Sequence, residues 1–215
     1  MGGVTIKDLG ANVGYTETLA LQEQLHARRV AGEVGDTLLL LEHKPIYTLG
    51  RSAVASNILD SEEALREAGI ERTVTTRGGD VTYHGPGQLV GYPIIHLGEA
   101  GLSVLTYLGT LEEVLIQTVA AFGINAGRDV RNRGVWVGDN KLAALGIRVS
   151  RQVTMHGFAL NVTTDLSAYR GIVPCGLRHV GVTSMACLLG QTVNMVEVKT
   201  RVGEAFGKVS SSWGC

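Results

Sequence analysis

The stretch RGGDVTYHGPGQ, residues 77–88, crowds four glycines and a proline into twelve positions. Glycine reaches positive φ and carries no Cβ, so Gly78-Gly79 and Gly85-Pro86-Gly87 read as two tight turns around a short extended piece, 81–84. The pattern predicts a hairpin with backbone exposed at both ends, able to approach a ligand closely. An ordinary glycine-rich hairpin satisfies it equally well, and only the rest of the chain separates the two.

Around this stretch the hydrophobic period is two. Residues 73–76, 81–84 and 88–95 read as successive strands, 135–137 joins 141–149 through Gly138-Asp139-Asn140, and 153–162 continues the meander. The unbroken apolar run 37–41 predicts a strand buried on both faces. Helices are expected at 14–29, between Asp60 (with Glu63 three residues on) and Gly69, and from a Ser103 cap to Gly123. In that third helix Val104, Leu108, Leu111, Leu115 and Val119 form a core stripe. A last helix runs from Asn194, with Glu197 completing a capping box, to 208, and Cys187 in the apolar helix 183–189 reads as core. No repeat or low-complexity tract interrupts this α+β pattern, so residues 1–215 are expected to form a single domain.

A net charge of −1 with 18% charged residues gives no basic excess for nucleic acid, so any partner must meet a local patch. The basic loop RDVRNR, 128–133, is one such patch, or simply a solvated turn. The longest aliphatic run is 38–41, far short of a membrane span, and no signal pattern opens the chain; a cytoplasmic protein is expected. Ile6 stands where myristoylation needs Ser or Thr, and Cys215 is not set for prenylation. Cys175, Cys187 and Cys215 include no CxxC pair, and the spacing of Cys175, His179 and Cys187 matches no common metal site. With no P-loop, HExxH or GxSxG motif either, no metal or cofactor is expected.

Two residues stand out chemically. Cys175 lies in Ile172-Val173-Pro174-Cys175-Gly176, on a turn where a thiol is more accessible than in a strand, although a lone cysteine is commonly just a small buried hydrophobe. Lys141 opens the small-residue stretch 142–147 and is either a solvated strand end or a base with a partner. A thiol of pKa near 8.5 is only about 3% ionised at neutral pH, and lowering that pKa to about 6 raises the thiolate to about 90%. A nearby ammonium does this.

Taken together, HKPIYTLG (43–50), RGGDVTYHGPGQ (77–88), NKLAALGIRVS (140–150), HGFALNV (156–162) and PCG (174–176) resemble the lipoyl(octanoyl) transferases. The resemblance implies a mixed, mostly antiparallel sheet with packed helices, like the class II synthetase-like catalytic domain of biotin and lipoate protein ligases. It implies transfer of octanoyl from octanoyl-acyl carrier protein, through a Cys175 thioester, to the lysine amine of lipoyl domains of 2-oxoacid dehydrogenase complexes and of glycine cleavage H protein. Lys141 matches the residue that lowers the Cys175 pKa. The substrate-binding segments carry over as Arg77, Gly78, Gly79, Asp80, Val81, Thr82, Tyr83 and His84, then Ala144, Leu145 and Gly146, then Gly157, Phe158 and Ala159. Asp80 departs from the family pattern, where Gln is more usual. On this reading side chains at Gly78 or Gly79 would fill an acyl groove, and six buried methylenes contribute about 5 kcal/mol to holding the tail. Backbone amides near Leu145 and Gly146 are the expected oxyanion donors. An acidic carrier is expected to meet basic residues such as those in 128–133. The rivals are an ATP-dependent ligase of the same fold, for which a cysteine paired with NKLAALG has no use, and a non-catalytic acyl-binding domain.

Overall fold

The computed structural model describes residues 3–173 and 180–214. In chain order the first elements are β1 (Thr5–Asp8), α1 (Tyr15–Val30), β2 (Thr37–Leu41), β3 (Ile46–Leu49), α2 (Glu62–Glu67) and β4 (Glu71–Val74). There follow β5 (Val81–His84), β6 (Gln88–Ile94), α3 (Leu97–Ala100), α4 (Val104–Ala120), β7 (Gly134–Val137) and β8 (Asn140–Ser150). The last are β9 (Val153–Asn161), β10 (Gly181–Val182), α5 (Met185–Leu189) and α6 (Met195–Ser210).

The main sheet has the order β1-β2-β6-β9-β8-β10, with β7 also paired to β8; β1/β2 and β10/β8 are parallel and the other pairs antiparallel. Strand β2 shows why its sequence is apolar throughout. Leu38 and Leu40 enter one core with Leu111 and Leu115 of α4 and Val202 and Phe206 of α6, while Leu39 and Leu41 enter a second core with Leu25 of α1. Successive side chains point to opposite faces, so a strand covered on both faces has no polar side. Each such leucine contributes roughly 1.5–3 kcal/mol on burial.

A smaller sheet, ordered β4-β3-β5, corrects the hairpin expectation. Strand β5 pairs with β3, in register Ile46↔His84, whereas β6 pairs with β2 and β9. Gly85-Pro86-Gly87 therefore carries the chain from one sheet to the other. The overlooked element was β3, whose segment supplies β5 with a partner distant in sequence.

The helices depart from expectation in detail. Ser61, not Asp60, caps α2 by accepting from the Ala64 N–H. Ser103 caps α4 as expected, but Val104 is 43% exposed, and Tyr107 and Val114 carry the stripe with Leu111, Leu115 and Val119. The Asn194 side chain caps α6 at Val196. Cys187 is exposed, because Met185 is the residue α5 turns into the core. Among the described residues no helix is long and apolar enough to cross a membrane, and no cluster of metal-ligating side chains occurs.

Candidate active site

A cavity of about 350 Å³ opens between the two sheets, a size suited to a small ligand. Its wall takes Val81, Thr82 and His84 from β5, Ala144, Leu145 and Gly146 from β8, and Gly157, Phe158 and Ala159 from β9, together with Arg77, Gly79 and Asp80. Two residues expected with them, Gly78 and Tyr83, lie outside the lining. Tyr83 turns into a small core and packs edge-on against Tyr47 and Tyr169, at 5.9 and 5.7 Å between ring centres. Gly78 bonds to the free edge of β8, its N–H donating to the Ile147 carbonyl at 2.9 Å.

Of the motif's first two glycines, Gly79 lines the cavity and Gly78 does not. A Cβ on Gly78 would point at the Ile147 carbonyl, 3.2 Å away, rather than into the cavity. A Cβ on Gly50 would sit 2.2 Å from the Gly79 carbonyl oxygen, and one on Gly146 would sit 2.9 Å from the Gly78 carbonyl oxygen. The 77–79 loop is thus seated between two positions that must lack side chains. Gly50 closes the HKPIYTLG motif and Gly146 lies in NKLAALG, so three separate sequence motifs meet at one contact.

Arg77 and Asp80 fix this loop. The buried Arg77 guanidinium donates from Nε to Thr48 Oγ1 at 3.1 Å, from Nη2 to the Thr48 carbonyl at 2.5 Å and from Nη1 to the Gly78 carbonyl at 3.0 Å. The Asp80 carboxylate accepts from the Val81 N–H (2.7 Å), the Val54 N–H (3.2 Å) and Asn57 Nδ2 (2.5 Å). This gives the atypical Asp80 a task that its carboxylate performs directly: it ties the 54–57 segment over the cavity wall.

Lys141 is 6% exposed although it lies near a strand end. The register of β7 on β8 slips between Val135 and Trp136, which brings Trp136 opposite Lys141. The ammonium lies 4.9 Å from the centre of the Trp136 ring and donates to Asn132 Oδ1 at 2.6 Å. The indole in turn donates to the Asn132 carbonyl at 3.1 Å, so one asparagine is held by both partners. Asn132 also lines the cavity. On the other strand, Val182 stands opposite Lys141, and the Thr183 N–H donates to the Lys141 carbonyl.

Cys175 lies outside the described residues, as do Pro174, Gly176 and His179. The chain on either side of that segment is anchored beside the site. The Val173 N–H donates to the Asn57 carbonyl at 2.8 Å, and Gly181 pairs with Asn140.

Several cavity residues escaped the sequence reading: Tyr15, Ser52, Tyr92, Asn132 and His156. His156 and Asn132 belong to segments already singled out, 156–162 and 128–133, whereas Tyr15 and Tyr92 carry no local signal. Behind the wall His43 Nδ1 donates to the Val13 carbonyl, so its Nε2 accepts from the Tyr92 hydroxyl at 2.8 Å. Burial lowers the pKa of both His43 and His156 to about 4, and it lowers that of His84 well below the usual histidine value. These imidazoles are neutral at physiological pH, which suits a wall that receives an uncharged chain.

The arginines of the basic loop are ion-paired within the chain. Arg128 pairs with Glu112 and Glu113, Arg131 with Asp129 and Asp139, and Arg133 with Glu112. Its charge is compensated within the chain, with Glu112 buried in α4.

The described family "Lipoyl protein ligase A/B catalytic domain" matches residues 14–207. The octanoyltransferase of Caldicellulosiruptor saccharolyticus is 50% identical over 199 residues, covering 92% of this chain and 85% of that protein. Among solved structures, a bi-partite lipoate protein ligase from Thermoplasma acidophilum superposes with a TM-score of 0.72 at 16% identity, covering 97% of this chain and 83% of the other. A biotin protein ligase from Aquifex aeolicus gives 0.52 at 12% identity, covering 98% and 70%. The fold is therefore that of the lipoate and biotin ligase catalytic domains, and the chain belongs to the lipoyl protein ligase A/B catalytic-domain family, among its octanoyltransferases, which are acyltransferases.

Proposed function

We propose that the enzyme moves an octanoyl group from the thioester of an acyl carrier protein, through a thioester on Cys175, to the lysine amine of a lipoyl domain. The observation that carries this reading is the buried ammonium of Lys141, held by Trp136 and by Asn132, which lines a cavity sized for an acyl chain. The chain leading out of residues 174–179 runs alongside it, which favours a Cys175–Lys141 pair.

In the first half-reaction Lys141 accepts the thiol proton, and the Cys175 thiolate attacks the octanoyl carbonyl. The donor sulfur leaves and takes the proton back from Lys141. The now neutral lysine stands beside an acyl-cysteine. In the second half it accepts a proton from the attacking amine as the amide forms, and the cysteine leaves as thiolate, restoring the ion pair. Exchange of a thioester followed by amide formation is not uphill, so the chemistry needs no nucleotide.

The oxyanion donor narrows to Leu145. Alternate residues of a strand direct their amides to the same edge. Ile147 accepts from Gly78 at the outer edge of β8, so Leu145 presents its N–H there too, one position beyond the last β7 partner, Gly134↔Ala144. The Gly146 amide faces β9 instead.

Incubation of the enzyme with octanoyl carrier protein and an apo lipoyl domain, without nucleotide, is expected to convert the domain to its octanoyl form, read by intact mass. Free octanoate with ATP is expected to give none. The reverse pattern would make the enzyme a ligase and end the transferase reading.

A further inference from the structure

On its outer side the 77–79 loop borders a second pocket, of about 410 Å³, lined by Arg51, Thr76, Gly78, Ile147 and Arg148 among others. Neither Arg51 nor Arg148 lies within ion-pair distance of a carboxylate among the described residues, whereas Arg128, Arg131 and Arg133 are all paired. Arg148 is oriented by a contact from Nη1 to Thr76 Oγ1 at 3.4 Å. Arg51 is fastened to the same loop through its own N–H, which donates to the Arg77 carbonyl at 3.0 Å. Two guanidinium groups facing one hollow without a counter-charge repel each other, and an anion between them relieves this.

The position of the pocket limits which anion it serves. Arg148 stands seven residues along β8 from Lys141, roughly 23 Å at the rise of a strand. A fully extended phosphopantetheine arm, with a thioester at one end and a phosphate diester at the other, covers a similar span. We propose that Arg51 and Arg148 form a binding site for the phosphate of the donor's prosthetic arm, whose other end carries the thioester to Lys141. This rests on the transferase reading for the identity of the donor, but not for the existence of the site.

The site is tested without turnover by titrating the enzyme with unacylated phosphopantetheine and with pantetheine, which lacks the phosphate. Phosphopantetheine is expected to bind about tenfold more tightly, a preference that weakens with salt and disappears in the double variant Arg51→Gln/Arg148→Gln. In transfer assays the same variant should raise KM for octanoyl-phosphopantetheine about tenfold and leave kcat and the KM for octanoyl-pantetheine unchanged. Equal binding of the two compounds, or a preference that survives the double variant, would overturn the proposal. So would a loss seen with octanoyl carrier protein but not with octanoyl-phosphopantetheine, which assigns the arginines to the carrier's acidic surface. Because binding is read separately, failure of transfer with every donor would count against the transferase reading alone.

Discussion

Lys141→Met is expected to lower octanoyl transfer by about three-thousandfold and to leave the fold standing. Two contributions add up to that figure. Losing the ammonium returns a thiol to its ordinary pKa, which removes about 97% of the thiolate at neutral pH. Losing the proton shuttle removes a further factor of about a hundred, since the donor sulfur then departs unassisted and the acceptor amine has no base. Methionine keeps an unbranched stem against Trp136, so the packing of β7 on β8 survives. The structural cost includes an unmet acceptor at Asn132 Oδ1, about 1 kcal/mol. Single-turnover kinetics beside a thermal melt separate the two effects, and near-normal turnover would take Lys141 out of the mechanism.

The second large effect concerns a residue remote from the chemistry. Gly50→Ala adds one methyl group, whose carbon would lie 2.2 Å from the Gly79 carbonyl oxygen and 2.9 Å from the Gly79 carbonyl carbon. Both atoms are backbone, so the loop has to move away from β3 and take the cavity wall with it. A displacement costing about 3 kcal/mol corresponds to a loss of about a hundredfold in kcat/KM. The cores around β2, α4 and α6 do not touch Gly50, and the main unfolding transition should stay within a few degrees of wild type. Gly109→Ala is the control: a Cβ there meets nothing within 4 Å, and activity should be unaffected. Faster amide exchange confined to residues 77–81 in Gly50→Ala would identify the cause, and wild-type activity in that variant would show that the seating of the loop is irrelevant.

The sequence was most legible where one local force acts alone. The apolar run of β2, the Ser103 cap of α4 and the alternation through β8 and β9 each follow from side-chain period or capping, and each falls where expected. It was least legible where partners are distant in the chain. Nothing between residues 77 and 88 indicates that β5 joins β3 rather than β6, because strand pairing is decided by the segment around Ile46, some forty residues away. For the same reason the demand for a bare Cα at Gly50 shows only when the 77–79 loop lies against it. Electrostatics were legible only as composition: RDVRNR is basic in sequence and neutralised in space, by Glu112 and Glu113 on a helix as well as by its own neighbours. The segments around 77, 144 and 157, singled out by the motif combination, line one cavity.

Intact-protein mass spectrometry after a brief incubation with octanoyl carrier protein, followed by peptide mapping, tests the central claim most directly. The account predicts a single octanoyl adduct, labile to hydroxylamine, on the peptide that contains Cys175, lost in Cys175→Ser and discharged when apo lipoyl domain is added. An adduct that persists in Cys175→Ser, or transfer to the lipoyl domain without any acyl-enzyme, would contradict it.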